Sequence, residues 1–349
     1  MTYGFWEKLE KPFFVLAPMA NVTDAAFRRI ITKYSKYGGR DFGDGSKENL
    51  SAEAFRAGGP DVTWTEFVSC DGLCHPEGRE ALMIDLEYTE GERPIVAQVF
   101  TAHPDKMREA ARIILELGFD GIDINMGCPD KNVMKQGAGA SLMKSPKLAQ
   151  ELILAAKEGV GNKIPVSVKT RIGFNADELE TWLPKLLEAK PAAITVHART
   201  KKEMSLVPAN WNHVKRAVEM AKGTGVLIIG NGDVKNLEEA RARVAETGCD
   251  GVMIGRGIFG NPWLFDEKKK EVMMEEKLRV MAEHTKLYEE IFKDKKSFEL
   301  MKKHYKAYVH GFPEAKELRV KLMECESAQA VERAVEIFLR EQGILIKRV

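Results

Sequence analysis

Long apolar runs are missing from this chain. Across its 349 residues no stretch approaches the roughly 18–20 consecutive apolar residues that cross a bilayer. A membrane-embedded protein is therefore not expected. An excess of either charge is missing too. Fifty-three basic residues face 52 acidic ones, a formal net charge of +1. That balance argues against a protein that coats nucleic acid, DNA included, by bulk electrostatics, and it leaves room for a local patch. With 44% hydrophobic and 30% charged residues the chain is neither disordered nor collagen-like. Met1–Glu10 has no apolar core segment and carries Glu7, Lys8 and Glu10, so it does not read as a secretory signal. Cysteine is scarce, and its count, five, is odd. Reduced thiols in a cytoplasmic protein are the expectation. Cys70, Cys74 and His75 stand together, but no second Cys/His pair stands at ligand spacing, and no metal site is expected.

What is present is a repeated alternation. Eight short β-branched runs occupy 13–19, 62–68, 94–100, 121–126, 166–171, 193–199, 227–233 and 251–257. They are mostly continuous apolar runs, as strands covered on both faces should be. Helical stretches lie between them. One starts at Pro104 and ends before Gly118. Another opens with Ser145 as cap and Pro146 in its first turn and ends before Gly159. A third covers 236–246, before Gly248. A doubly wound open sheet shows the same alternation, but eight repeats favour a (β/α)8 TIM barrel. The barrel is assigned to 1–265, with a helix at 24–37 after the first strand. A Gly-rich, polar insertion follows at about 39–60, with a short helix near 52–57. Residues 266–349 read as an α-helical bundle.

A barrel places its chemistry at the C-terminal ends of its strands. Polar residues do collect there: Gln98 on the third run, Asn125 and then Cys128 on the fourth, Lys169 and Arg171 on the fifth. His197 and Arg199 end the sixth, Asn231 and Asp233 the seventh, and Arg256 follows the eighth. Buried strand ends disfavour such groups unless they share partners. Gly230–Asp233 and Gly255–Gly257 follow the last two strands, where barrels commonly grip a phosphate. Glycines let backbone N–H groups approach an anion, and Arg256 adds charge. Gly255, Gly257 and Gly260 also fit a dinucleotide fingerprint, but no parallel strand follows, so a mononucleotide phosphate grip is the reading. With Gln98 and Lys169 facing the mouth, the pocket suits flavin mononucleotide. An amide bonds the ring edge, and a lysine favours a reduced, anionic ring. Met19, in the Ala17–Ala20 segment, lies under the ring or in the core. Cys128 sits between Gly127 and Pro129, which fix a tight loop. A thiol with an ordinary pKa of about 8.5 is protonated at neutral pH and can donate a proton.

The segments APMANVTDAAFR (17–28), AQVF (97–100), GIDINMGCPDKNVMKQGAGASLMKSP (121–146), VKTRIG (168–173), HART (197–200), NGDV (231–234) and GVMIGRGIFGNPWLF (251–265) carry a resemblance. Taken in order they resemble the tRNA-dihydrouridine synthases. The family's usual HGRT is HART here, which leaves His197 and Arg199 in place. The 39–60 insertion is not a feature of the family's short bacterial members. The resemblance implies an FMN barrel and a helical tRNA-binding domain. It implies NADPH as reductant and saturation of the C5–C6 bond of a D-loop uridine in tRNA, with Cys128 giving the proton to C5. FMN would be held by Pro18, Met19, Ala20, Gln98, Lys169, His197, Asn231, Gly232, Asp233, Gly255 and Arg256. Asn125, Lys131, Arg171 and Arg199 would face the uracil edge or nearby phosphates. Such a base must leave its stack to reach a barrel pocket, and recognition would rest on the RNA's shape and backbone. A monomer is expected. Two other readings stay open: a flavin barrel acting on a free pyrimidine or other small enone, and an RNA-binding protein on a non-catalytic barrel.

Beyond 265 the strands stop and helical spacing takes over at about 272–292, 298–309, 317–325 and 328–342. From Lys293 to Lys321 nine basic residues meet four acidic ones, a local net of +5. Tyr305, Tyr308 and His310 are interleaved. This is a backbone-binding face for tRNA, or an ordinary solvated face with the tyrosines in the core.

Overall fold

A computed structural model describes residues 2–39 and 58–344. Most of the insertion expected at 39–60, and the short helix within it, lies outside the described residues. By internal packing the chain forms two compact units, Met1–Thr23 with Pro60–Arg256 and Asp24–Gly59 with Gly257–Val349.

The first unit is the barrel. Its strands are β1 (Phe13–Leu16), β2 (Thr63–Ser69), β3 (Ile95–Phe100), β4 (Gly121–Met126), β5 (Val166–Arg171), β6 (Ala193–His197), β7 (Leu227–Asn231) and β8 (Gly251–Ile254). All ladders are parallel, in the order β1-β8-β7-β6-β5-β4-β3-β2. The ring closes just before β2: Asp61 N donates to Phe14 O (2.9 Å) and Leu16 N to Val62 O (3.1 Å). The strands end sooner than the sequence runs. Arg199, Asp233 and Arg256 therefore sit in loops past β6, β7 and β8.

Among the described residues the helices are α1 (Ala25–Ile31), α2 (Cys70–Leu73), α3 (Pro76–Leu82), α4 (Pro104–Glu116), α5 (Lys131–Lys135), α6 (Pro146–Val160) and α7 (Leu179–Glu188). After them come α8 (Asn212–Ala221), α9 (Leu237–Thr247), α10 (Met274–Phe292), α11 (Glu299–Tyr308), α12 (Ala315–Met323) and α13 (Ala328–Glu341). Local signals explain several ends. Asn236 Oδ1 accepts from Glu239 N (2.8 Å) and starts α9, and Gly248 at φ +72° ends it. Two expected signals act differently. Ser145 occupies the cap position of α6 without a side-chain bond, and the helix continues past Gly159 to a left-handed Gly161. Gly159 serves close approach: a Cβ there would stand 2.4 Å from Arg108 O on α4.

The N-terminal segment also has a structural task. Gly4–Lys8 forms a 3-10 turn that buries Phe5 and Trp6. Trp6 packs on Phe13 (5.4 Å) and Trp64 (6.1 Å) at the strands' N-terminal ends. That end of the barrel is a core of aromatic side chains, each worth about 1.5–3 kcal/mol on burial. It leaves the opposite end for chemistry.

The second unit is helical, and α1 belongs to it rather than to the barrel wall. Phe27 of α1 stacks against His284 (5.6 Å) and His304 (5.2 Å), and Lys33 pairs with Glu283 (2.7 Å). Residues 257–265 pack with the same helices, so this partition differs from a linear cut at 265. Ser35 Oγ donates to Pro262 O (2.6 Å), and a Cβ on Gly260 would meet Ala307 O. Tyr305 and Tyr308 are fully buried, and Lys302 is buried with its Nζ on Glu299. The two tyrosines of the basic stretch are core, and His310 is exposed.

Candidate active site

The strand register brings the expected residues into one ring. Gln98 stands beside Asp123, Asp123 beside Ser167, Asn125 beside Lys169, Arg171 beside His197, and His197 beside Asn231. Side chains two apart along a strand share a face. Ser167, Lys169 and Arg171 therefore climb the inside of β5 toward the open end.

One group of bonds reaches Cys128. Gln98 Nε2 donates to Asp123 Oδ2 (2.6 Å), and Asn125 Nδ2 donates to Gln98 Oε1 (3.0 Å). Asn125 Oδ1 accepts from the backbone amides of Gly127 (3.1 Å) and Cys128 (2.9 Å). Ala140 N donates to Cys128 O (3.0 Å). Gly139 is left-handed beneath that carbonyl, at φ +59°, and a Cβ there would stand 2.9 Å from Cys128 O. The half-buried thiol packs against the cluster of Phe100, Val133 and Ala138, which Phe67 also borders. Burial raises it above the ordinary thiol range. The Asp130 amide, Lys169 and Arg171 pull the other way without reversing the shift. The sulfur is a protonated thiol at neutral pH and is chemically a proton donor.

Cations gather across the ring. Burial lowers Lys169 to about 8, with the Arg171 guanidinium adding to the fall. Among the described residues its ammonium makes no hydrogen bond or salt bridge. Burial, and then Lys169, Arg171, Arg199 and Arg256, hold His197 well below its ordinary range, so it is neutral. Arg199 Nη1 lies 3.1 Å from His197 Nε2. A guanidinium has no lone pair to accept with, so Nε2 is the acceptor and the proton sits on Nδ1. Arg199 also donates to Val207 O (2.7 Å) and ion-pairs with Asp233. Arg256 reaches the other oxygen of Asp233 at 3.1 Å. The Arg199 bond holds the Asp233 carboxyl below its ordinary range.

The loops after β7 and β8 are shaped for close approach. Gly232 has φ +130°, and a Cβ would stand 2.7 Å from Ala209 Cβ and 3.3 Å from the His197 ring. Trp211 Nε1 bonds Gly232 O (3.0 Å), and the Trp211 ring fills the space a Gly230 side chain would need. At Gly255 a Cβ would make only ordinary contacts, at 3.6 Å to Met19 Sδ and 3.7 Å to Ala17. Pro18 and Met19 are half-buried and Ala20 exposed, in the loop after β1. Asn231 is spent on Met253 O (2.7 Å) and ties β7 to β8.

Not every expected residue is free for a ligand. Arg171 donates to the carbonyls of Gly127 (2.9 Å), Thr200 (3.1 Å) and Met204 (3.1 Å). It clamps the loops after β4 and β6 together. Arg199 is likewise engaged with protein atoms. Lys131 is exposed at the start of α5. Two residues had no expected role: Asp123, 1% exposed, and Ser167, whose Oγ donates to Asp123 Oδ1 (2.6 Å). For Asp123 the signal was a charged residue inside a strand run buried on both faces; Ser167 carried none.

The dihydrouridine synthase family profile matches residues 15–342. A probable tRNA-dihydrouridine synthase 2 of Bacillus subtilis strain 168 is 38% identical over 347 residues, covering 98% of both chains. A probable tRNA-dihydrouridine synthase of Staphylococcus aureus strain COL is 37% identical over 94% of this chain and 93% of its own. One from Staphylococcus epidermidis strain RP62A is 36% identical over 97% of each. With the barrel complete and these likenesses running almost end to end, the chain belongs to the dihydrouridine synthase family.

Proposed function

We propose that the protein is an FMN-dependent tRNA-dihydrouridine synthase that saturates the C5–C6 bond of a D-loop uridine at the expense of NADPH. The observation that carries this reading is the protonated Cys128 thiol on a loop fixed by Asn125, in a barrel mouth where Lys169, Arg171, Arg199 and Arg256 gather and Asp233 pairs with two of them.

The residues fit the cofactor. A partnerless Lys169 ammonium and the Nδ1–H of a neutral His197 are donors awaiting an acceptor. Gly255, where a Cβ would meet only ordinary contacts, leaves backbone open to a phosphate, and Arg256, with its side chain 62% exposed, adds charge at the rim. Gln98 would meet the ring edge, and Pro18, Met19 and Ala20 would border it. FMN held there would supply the hydride chemistry at C6, with NADPH as its reductant.

The chain's own residues do the rest. Cys128 gives its proton to C5. The apolar wall of Phe67 and Phe100 excludes water around the thiol. Asn125 and Arg171 fix its loop. Cations on the helical unit take up tRNA phosphates. No helix among the described residues is long and apolar enough to cross a membrane.

Purified protein loaded with FMN should show a flavin spectrum that NADPH bleaches, and it should form dihydrouridine in unmodified tRNA. Cys128→Ala should keep the flavin and lose about 10²–10⁴ in rate. Failure to bind FMN, or equal turnover of free uracil, would overturn the reading.

A further inference from the structure

The mechanism above leaves a buried carboxylate without a task. Asp123 is 1% exposed in the middle of β4, and among the described residues no cation forms a salt bridge with it. An apolar side chain would be the stable choice in such a strand. We propose that Asp123 is a positioning residue for proton delivery: its carboxylate sets the direction of the hydrogen-bond chain Asp123–Gln98–Asn125, which ends on the backbone amides of Gly127 and Cys128.

The direction follows from what each group can give. A carboxylate only accepts. One oxygen takes the Ser167 hydroxyl at 2.6 Å and the other takes Gln98, which must turn its Nε2 inward, also at 2.6 Å. Gln98 Oε1 is then left facing Asn125 and can only accept, so Asn125 must present Nδ2, as it does at 3.0 Å. Asn125 Oδ1 is thereby turned to the amides of Gly127 and Cys128. Were Asn125 reversed, an NH₂ group would face two N–H groups, and the loop carrying the thiol would lose both bonds. Primary amides have no intrinsic preference between the two orientations. The charge on Asp123 supplies it, two side chains away from the sulfur.

The groups facing Asp123 are Gln98 on β3 and Ser167 and Lys169 on β5. Those facing Cys128 are Asp130, Lys169 and Arg171. Burial raises Asp123 to about 6, against the bonds from Ser167 and Gln98 and the charge of Lys169. The chain is therefore directed above about pH 6. Below it, a protonated Asp123 gains a hydrogen to donate and the direction is no longer enforced.

The inference rests on Cys128 being the proton donor. Its test uses the FMN-loaded enzyme, with kcat and KM for tRNA. Alkylation of Cys128 by iodoacetamide is followed in parallel from pH 5 to 9 on the Cys128 peptide. In Asp123→Ala, kcat should fall about 10–100-fold with KM for tRNA little changed, the size of loss that misplacing a reacting group brings. The alkylation rate of Cys128 should change as well. Asp123→Asn can still offer Oδ1 to Gln98, so it should lose less and should erase the limb near pH 6. Ser167→Ala removes a bond that favours the charged form, so it should move that limb to higher pH. This last variant keeps the test decisive if Asp123→Ala does not fold. An unchanged pH limb in both Ser167→Ala and Asp123→Asn overturns the inference, as does a loss confined to KM. Full activity in Cys128→Ala would instead overturn the assignment of Cys128, whatever the Asp123 variants show.

Discussion

Arg171 donates its Nε–H to the carbonyl of Gly127 over 2.9 Å, one residue before Cys128. Its Nη1 holds Thr200 and Met204 from the next-but-one loop. One guanidinium thus spans two loops through three backbone oxygens. A lysine ammonium has the charge without the planar fork and cannot reach all three. Arg171→Lys should lower kcat by about 10–100-fold through loop displacement, with FMN retained and Cys128 alkylated faster. Flavin absorbance and the alkylation rate separate this outcome from loss of the cofactor site.

Gly232 is confined by backbone angle and by neighbours at once. At φ +130° an L side chain is strained, and its Cβ would overlap Ala209 and crowd the His197 ring. Gly232→Ala should cost about 1–3 kcal/mol and raise the Kd for FMN, both readable from melting with and without added cofactor. Gly255→Ala meets only ordinary contacts without ligand. It should leave apo stability alone and weaken FMN binding only. Equal Tm losses in the two variants would contradict this division.

The sequence disclosed the barrel because eight buried strands need eight apolar runs, and Lys169, His197 and Arg256 stood out because charge at the end of such a run needs a reason. It disclosed less where direction and distance decide. Arg171 and Arg199 look identical to ligand-binding arginines until the loop carbonyls they hold are in place. Asp123 is one of two polar residues in GIDINM, and its charge alone does not say that its partners will be Gln98 and Ser167. Tyr305 and Tyr308 have the same spacing whether they face a core or RNA. The allegiance of α1 is a matter of long-range packing: Asp24 caps it by accepting from Phe27 N, and nothing in that local signal says which helices Phe27 will meet.

With the tyrosines in the core, the basic stretch reduces to its exposed lysines. Lys293, Lys295 and Lys306 are exposed on the helical unit. If they contact phosphates, each contributes about 0.7–0.9 to the slope of log K against log salt. Reversing all three to Glu should weaken tRNA binding at least about tenfold at moderate salt, lower that slope by about 2–3, and leave NADPH oxidation without tRNA unchanged. A salt titration of binding reads all of this. A parallel shift with the slope intact would mean that they act otherwise than by phosphate contact.

His284 and His304 lie ring to ring at 5.0 Å, both buried against Phe27. Among the described residues His284 Nε2 has no hydrogen-bond partner, and its Nδ1 is 3.4 Å from Tyr308 Oη. Burial, with the charge of Lys303 added, lowers His284 to about 3. Burial, then His284 and Lys303, hold His304 well below its ordinary range. Both are neutral when folded. The unfolded chain takes up protons below about pH 6.5, the folded one does not, and so stability is complete above that pH and is lost as pH falls. Each histidine contributes a slope of up to about 1.4 kcal/mol per pH unit, so the pair gives up to about 2.7. Unfolding free energies measured in urea from pH 7.5 to 5 should show this loss. His304→Gln should remove about half of it, whatever the substitution does to stability at pH 7.5. The slope is the quantity to compare, since the carboxylates are common to both proteins and cancel. An unchanged slope in the variant would mean that His304 titrates alike in the folded and unfolded chain, which a side chain 2% exposed between two aromatic rings and a second histidine should not do.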